Sequence, residues 1–243
     1  MSIFFNVSAV LLWIYRERSG SPAFWAEPLN AITNASFLIA ALLAWRFADR
    51  RRATTHTTLA LVSLAVVIGS GSFYFHSVPN HFTMWLDIVP IALFQVFFLW
   101  LVSNRMLDLS RVSSTVIVVG VVGSSFALLP LHAPLNGSLF YFPSVLAMLT
   151  LGVLWVRKSS REPYLLVGAA CVFALAIIAR SVDWIVPWPF GSHFLWHLLN
   201  GVVVYMALRA WIVFVARNES MELSDTRPSG LRRSSDHRLA TQE

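Results

Sequence analysis

The chain has 243 residues, of which 57% are hydrophobic and only 12% are charged, whereas ordinary soluble domains are about 25% charged. This composition, spread over several long apolar runs, favours a polytopic membrane protein over a protein with one large soluble core. The net charge of +6 comes mostly from arginines in short loops between apolar runs. The placement of these arginines indicates how the chain is oriented across the membrane. We therefore expect no nucleic-acid partner.

Seven apolar runs are long enough to cross a bilayer as helices, which takes roughly 20 residues each. The predicted spans cover residues 29–47, 57–78, 84–103, 113–131, 138–156, 163–182 and 193–215. We therefore predict an all-α, polytopic membrane protein with a seven-transmembrane-helix bundle. This bundle forms one domain over residues 1–217.

The two ends of the chain differ in composition from the predicted spans. Residues 1–14 are apolar but would reach only about 21 Å as a helix, so we expect an interfacial helix there. No basic segment precedes them and no small-residue cleavage site follows, so we do not expect a signal peptide. Residues 218–243 are polar and charged, which predicts a disordered cytoplasmic tail.

Basic residues alternate from loop to loop along the chain. The loops after spans one, three and five carry several arginines or lysines, whereas the loops after spans two and four carry none. Because cytoplasmic loops are enriched in basic residues, we predict the N-terminus outside and the C-terminus in the cytoplasm. We expect a multi-pass protein of the plasma membrane, or of the inner membrane in a prokaryote.

Five polar side chains interrupt the apolar spans near their predicted outer ends. Ser72 and His76 are four residues apart in span two, Asp87 lies early in span three, and His193 and His197 are four residues apart in span seven. This spacing places both members of a pair on one face of a helix. The predicted topology brings all five to one depth near the non-cytoplasmic face, so we expect one site.

These residue types suit metal-assisted hydrolysis of an amide or ester. Three neutral imidazoles, those of His76, His193 and His197, can bind Zn²⁺ and leave its fourth tetrahedral position for water. Zinc lowers the pKa of that water to about 7. Asp87 could take its proton, and Ser72 could hydrogen-bond the oxyanion that forms.

Other interpretations of the same residues stay open. The protein could be a non-enzymatic lipid-binding receptor or transport protein with a structural zinc, in which case Asp87 would supply a fourth ligand. Two histidines could instead hold a haem, and a serine nucleophile within GSGSF would need no metal. A single histidine in a span can also simply bond a neighbouring helix.

The chain resembles the alkaline ceramidases, seven-helix zinc-dependent lipid amidases of a superfamily that includes the adiponectin-receptor-like proteins. The resemblance lies in Ser72-x-x-x-His76, Asp87 within LDIVP, His193-x-x-x-His197, and EPLNAITNASF from Glu27 to Phe37. It implies that the three histidines bind zinc, that Asp87 acts on the zinc water and that Ser72 stabilises the transition state. It also implies that a membrane lipid like ceramide is cleaved to a fatty acid and a sphingoid base.

The resemblance also suggests a calcium site before span one, with Glu17 and Glu27 at ligand positions. Ile14 and Ser19 stand where an aspartate and an asparagine are expected, so few of the six to eight oxygen ligands of calcium are supplied. The alternative, which we favour, is that Glu17 pairs with neighbouring arginines and that Glu27 caps the helix beginning at Pro28.

Two further polar pairs lie in the predicted spans. Asn30 and Asn34 are four residues apart in span one and could support the bundle interior. Arg180 and Asp183 lie near the end of span six. We expect these two to pair with each other or to contact a lipid head-group.

Overall fold

The computed structural model describes residues 11–131 and 134–225. Within those ranges the chain is helical and no residue forms a strand, which confirms the all-α prediction. The long helices are α1 (Pro28–Arg50), α2 (His56–Ser77), α3 (His81–Leu101), α4 (Arg111–Ala127), α5 (Phe142–Lys158), α6 (Leu165–Ser181) and α7 (His193–Asp225). α1 consists of Pro28–Thr33 and Ala35–Arg50, and a π-helical segment, Val102–Met106, follows α3.

The helices have the length and surface of membrane-embedded elements. Within the described residues, five helical stretches are long and apolar enough to cross a membrane, and one of them, Leu135–Lys158, is α5 together with the 3₁₀ segment before it. By contrast, α4 and α6 have 17 residues each. Seventeen residues span about 26 Å, less than the roughly 30 Å hydrocarbon core. Large apolar side chains such as Ile39, Val116 and Ile178 are exposed, as lipid contact requires. The seven-span count and the sidedness of the termini stay predictions.

The observed helix bounds lie within a few residues of the predicted spans, except towards the end of the chain. α7 extends to Asp225, so residues 218–225, predicted as disordered, continue the last helix. Residues such as Met221 and Leu223 are good helix formers, which accounts for the extension. Residues 226–243 and most of the predicted interfacial helix, residues 1–10, lie outside the described residues.

Small residues let α1 lie close to α7. Ala40, Ala41 and Ala44 are buried along α1. Gly201 of α7 lies against Ser36 of α1, since a Cβ added at the glycine would be 2.6 Å from the serine side chain. Helix pairs in lipid are stabilised by such close approach because there is no hydrophobic driving force between them.

Helices α2 and α3 are in close contact next to Ser72 and Asp87. Pro90 lies inside α3 and has no backbone N–H, so the carbonyl of Leu86 lacks its usual helical donor. Gly71 of α2 lies directly against that carbonyl, and any Cβ at this position would clash with it. Gly71 therefore sets the helix spacing that brings Ser72 close to Asp87.

Polar caps fix the starts of α3 and α7. Asn80 and Thr83 form a capping box at the start of α3. The Asp183 carboxylate accepts the backbone N–H groups of Ser192 and His193, both at 2.7 Å. These bonds satisfy amide groups at the start of α7 that have no partner within the helix.

Candidate metal centre

Three buried histidines lie together at one end of the bundle, which we call the histidine end. His76 lies at the end of α2, His193 begins α7, and His197 follows one turn later. Their possible ligand nitrogens all lie within 4.8 Å of one another. The ring centroids are 4.7 to 5.3 Å apart. The structure thus brings together the three histidines that the sequence predicted to be neighbours.

Hydrogen bonds orient two of the three imidazoles. His76 Nδ1 lies 2.6 Å from Glu27 Oε2, and His197 Nδ1 lies 3.1 Å from Thr33 Oγ1. The Thr33 hydroxyl donates to the carbonyl of Leu29, so it accepts the hydrogen bond from His197. From these bonds we assign the proton to Nδ1 in both rings, which leaves the Nε2 lone pairs free, as in metal-binding histidines.

Two ring nitrogens of this group are buried without a hydrogen-bond partner: His76 Nε2 and His193 Nδ1. A buried unsatisfied polar atom costs about 1–3 kcal/mol, and a bound ligand would remove that cost. Tetrahedral zinc, with bonds of about 2.0–2.1 Å, places its nitrogen ligands about 3.4 Å apart. A small closure of the side chains would therefore suffice. The donor set fits a metal ion such as Zn²⁺, and the identity of the metal stays a prediction.

A carboxylate and a hydroxyl stand beside the histidines without joining them as ligands. Among the described residues, the group of close metal-binding side chains holds the three histidines and no carboxylate or thiol. Asp87, half-buried on α3, lies outside that group but is near enough to His76 for a charge interaction. The buried Ser72 hydroxyl, four residues before His76 on α2, lies near enough to this carboxylate for an electrostatic interaction. The predicted catalytic pair is therefore adjacent to the histidines, and its catalytic role stays a prediction.

Aromatic rings and an arginine close the histidine end. The Tyr15 ring stacks on His193, with centroids 3.8 Å apart and an interplanar angle of 19°. The Tyr15 hydroxyl accepts a hydrogen bond from Arg180 Nη1 at 3.3 Å, and burial raises the pKa of this phenol. The guanidinium of Arg180 lies 5.6 to 5.9 Å from the ring centroids of Tyr15, Tyr141 and Trp196. A neutral phenol and a cation over aromatic faces thus pack against the metal centre.

The predicted pairing of Arg180 with Asp183 is wrong. Within the described residues, Asp183 forms no salt bridge with that arginine and accepts three backbone N–H groups, from Ser192, His193 and Arg16, the last at 2.9 Å. Asp183 lies beyond the end of α6, so it does not share a helix face with Arg180. Its carboxylate instead joins the segment before α1 to the start of α7.

Glu17 and Glu27 exchange the roles that we favoured from the sequence. Glu17 accepts the backbone N–H groups of Leu29 and Asn30, at 2.8 and 2.9 Å, so it is Glu17 that caps α1. Glu27 makes no capping bond, and its Oε1 pairs with Arg18 Nε at 2.5 Å. Burial alone would raise the pKa of Glu27, but attraction to His76 and hydrogen bonds hold it below the usual range. The exchange arises because the irregular chain before α1 folds back and brings Glu17, ten residues earlier in the sequence, to the first backbone N–H groups of the helix.

Sequence reasoning missed Tyr15, Arg18 and Thr33 as neighbours of the histidines. Tyr15 and Arg18 lie in the segment before α1, where no periodic pattern predicts which side chains meet. Thr33 could have been found, because it lies between the Asn30 and Asn34 positions that mark a polar face of span one.

Apolar space adjoins the metal centre on the inside of the bundle. A narrow cavity of about 70 Å³ is lined in part by Trp196, which lies between the two histidines of α7. A groove of about 280 Å³ lies between α3, α4 and α5. Both are lined by Ile91, Gln95, Leu99, Tyr141 and Ser144. These residues form a common wall between the cavity and the groove, and the groove reaches the exposed surface at Trp85 and Phe126.

A comparison with protein families agrees with this geometry. The family model described as Ceramidase matches residues 21–228, a range that contains the three histidines, Ser72 and Asp87. No curated protein and no solved structure matches the chain. Because the family model covers most of the sequence, the protein belongs to the ceramidase family.

Proposed function

We propose that this protein is a zinc-dependent intramembrane hydrolase that cleaves the amide bond of ceramide-like lipids to a fatty acid and a sphingoid base. Family membership supports the reaction class, because a ceramidase hydrolyses the amide bond of ceramide. One observation carries the proposal. Three buried histidines place their possible ligand nitrogens within 4.8 Å of one another, and the described residues supply no close fourth protein ligand.

The histidines of this group, His76, His193 and His197, would hold the ion. When bound, the ion supplies Lewis-acid activation of a water molecule at neutral pH. Glu27 and Thr33 each accept the Nδ1–H of one imidazole. They keep the ring orientation fixed and raise the basicity of the Nε2 atom that remains.

Asp87 and Ser72 supply the acid–base and oxyanion chemistry of this proposal. The Asp87 carboxylate takes a proton from the attacking water and returns it to the amide nitrogen as the C–N bond breaks. The Ser72 hydroxyl donates a hydrogen bond to the carbonyl oxygen as negative charge develops there. One water is consumed, the acyl carbon leaves as a carboxylic acid, and the nitrogen leaves as an amine.

The apolar cavity and groove support a substrate with long hydrocarbon chains. The groove between α3, α4 and α5 opens at the exposed surface and shares a wall with the cavity beside Trp196. We expect the hydrocarbon tails of the substrate to occupy this apolar space. Largely apolar walls with a few convergent polar groups are typical of ligand sites.

A receptor or transport protein with a structural zinc has less support. Structural zinc sites fill all four positions with protein ligands. Asp87, the candidate for the fourth position, lies outside the close group of side chains.

Metal analysis combined with product release tests the proposal. Purified protein should hold about one zinc ion per chain and should release fatty acid from ceramides in preference to esters and N-acyl amino acids. The double variant His193→Ala, His197→Ala should lose both the zinc and the activity. His56→Ala is the control, because His56 is exposed at the start of α2, away from the histidine end. Full hydrolysis by the double variant would contradict the mechanism, and a visible absorption band would indicate a haem instead.

A further inference from the structure

The calcium site implied by the resemblance does not fit the described residues. Both oxygens of Glu17 accept backbone N–H groups at the start of α1. Both oxygens of Glu27 also have donors, supplied by Arg18, His76 and Asn30. Calcium requires six to eight oxygen atoms that converge on one point. The oxygens here are already satisfied, and a guanidinium lies among them.

Arg18 occupies a cage made of oxygen atoms at the histidine end. Its Nε donates to Glu27 at 2.5 Å, and its Nη1 donates to the carbonyls of Ser21 and Ala23 at 2.9 and 3.0 Å. Its Nη2 donates to the carbonyl of His76 at 2.6 Å. A carboxylate and backbone carbonyls are the ligand types that a hard cation takes. The side chain is 1% exposed, so water does not compete for these bonds.

This cage holds His76 from two directions. The Nη2 group of Arg18 binds the backbone carbonyl of His76, where α2 ends. The Nε group binds Glu27, whose other oxygen accepts the Nδ1–H of the same histidine. One guanidinium therefore locates both the backbone and the ring of His76, and with them the unpartnered Nε2 atom.

We infer that Arg18 is a positioning residue of the metal centre, and that its guanidinium is a built-in cation that replaces a divalent ion before α1. The inference rests on the metal site of the proposed function but not on its reaction. A covalently attached cation cannot exchange with solution. The metal centre of this protein is therefore insensitive to calcium.

The unmodified protein provides the first test. After treatment with a chelating resin and reloading with zinc, the full chain should keep the same melting temperature and zinc affinity when millimolar Ca²⁺ is added. Mg²⁺ is the control for general ionic effects. A rise in melting temperature with Ca²⁺ but not with Mg²⁺ would overturn the inference, because an ion that binds the folded state stabilises it.

The variant Arg18→Ala tests the positioning role. It leaves Glu27 and three carbonyls around a space of guanidinium size, so zinc affinity should fall by about 10- to 100-fold, as when a hydrogen-bond partner of a ligand is lost. Low millimolar guanidinium should restore part of the affinity, whereas urea, which has the same shape without the charge, should not. Arg209→Ala is the control, because it breaks an arginine–glutamate pair away from the histidines.

The variant Arg18→Lys keeps the test informative if Arg18→Ala does not fold. Lysine retains the charge but lacks the planar fork of donors, so its zinc affinity should lie between those of the wild type and Arg18→Ala. Wild-type zinc affinity in the Arg18 variants would overturn the inference. Normal zinc binding by the wild type without any lipid hydrolysis would contradict the proposed reaction and leave the role of Arg18 intact.

Discussion

The two ends of the helix bundle both carry charged side chains but use them differently. At the histidine end the charged pair of Arg18 with Glu27 is buried, and Glu27 also accepts the Nδ1–H of His76. At the opposite end the bidentate pair of Glu162 with Arg209 is about one-third exposed on each side. The pair of Lys158 with Asp108 is more exposed still.

This difference indicates that the histidine end carries the functional site and that the ion pairs at the opposite end contribute only to stability. An unpaired buried charge costs several kcal/mol, so a buried network persists where its groups satisfy one another or bind a ligand. The network at the histidine end leaves His76 Nε2 and His193 Nδ1 without partners, which is where a ligand belongs. Ion pairs as exposed as those at the opposite end contribute at most about 1 kcal/mol. Substitutions at the histidine end should therefore change the chemistry, whereas those at the opposite end should change stability slightly.

The largest effect is expected from Asp87→Asn. The substitution keeps the shape of the side chain but removes the base, so hydrolysis should fall by about 10²- to 10⁴-fold. Zinc content should not change, because Asp87 lies outside the group of close ligands. Turnover of a ceramide and zinc content are measured on the same preparation.

Ser70→Ala is the matched control for a polar change near this site. Ser70 is exposed on α2 and bonds only the backbone of Val66 among the described contacts, so its loss should leave turnover unchanged. Loss of zinc together with activity in Asp87→Asn would make Asp87 a fourth ligand and would favour the receptor interpretation.

A substitution in the helix packing, Gly71→Ala, should act next most strongly. The added methyl group meets the Leu86 carbonyl of α3, and forced overpacking costs about 1–3 kcal/mol. Because the same contact aligns Ser72 with Asp87, turnover should fall as well. Gly120→Ala is the control, since nothing lies within 4 Å of the added Cβ. It should stabilise its helix by about 0.5–1 kcal/mol. Equal melting temperatures for the two variants would show that the α2–α3 spacing is not tight.

Thr33→Val should have a smaller effect, confined to the metal. It removes the acceptor for His197 Nδ1 while keeping the shape of the side chain, so zinc affinity should fall about tenfold. Thr150→Val is the matched control, because Thr150 makes the same type of bond to the carbonyl four residues earlier but is exposed. Zinc titration of the two variants gives the comparison, and equal affinities would mean that Thr33 does not orient the imidazole.

The sequence was sufficient to predict the long helices of this protein and the grouping of its histidines. Apolar runs of about 20 residues, interrupted by basic or proline-containing turns, predict helices whose bounds agree with the observed ones to within a few residues. The histidines could be grouped because helical spacing fixes the face of each pair, and the alternating chain direction fixes the end at which it lies.

The segment before α1 could not be predicted in the same way. Its side chains follow no period, so the sequence does not say that Arg18 meets Glu27 or that Tyr15 stacks on His193. The exchanged roles of Glu17 and Glu27 illustrate this limit, since both are carboxylates near the same helix start. Which one caps the helix depends on the path of the chain, and that path is set by contacts with residues far along the sequence, such as Asp183.

The smallest effect is expected at the opposite end, from Glu162→Gln. Hydrogen bonds from Arg209 hold the pKa of Glu162 below its usual range. A carboxyl group whose pKa is lower in the folded than in the unfolded state stabilises the fold above its unfolded pKa, about 4.3. That contribution is lost as the pH falls through the folded pKa. The melting temperature of the variant should therefore lie slightly below that of the wild type at neutral pH, by a difference worth at most about 1 kcal/mol.

This last variant tests the comparison of the two ends, because the sign of the pH effect is fixed in advance. The difference in melting temperature between wild type and Glu162→Gln should shrink and disappear on acidification, and zinc content and turnover at neutral pH should stay unchanged. A difference that grows on acidification would mean that the pair with Arg209 does not lower the pKa of Glu162. A loss of zinc or turnover at neutral pH would show that the opposite end, too, helps to place the histidines, because α7 carries both Arg209 and two of the three histidines.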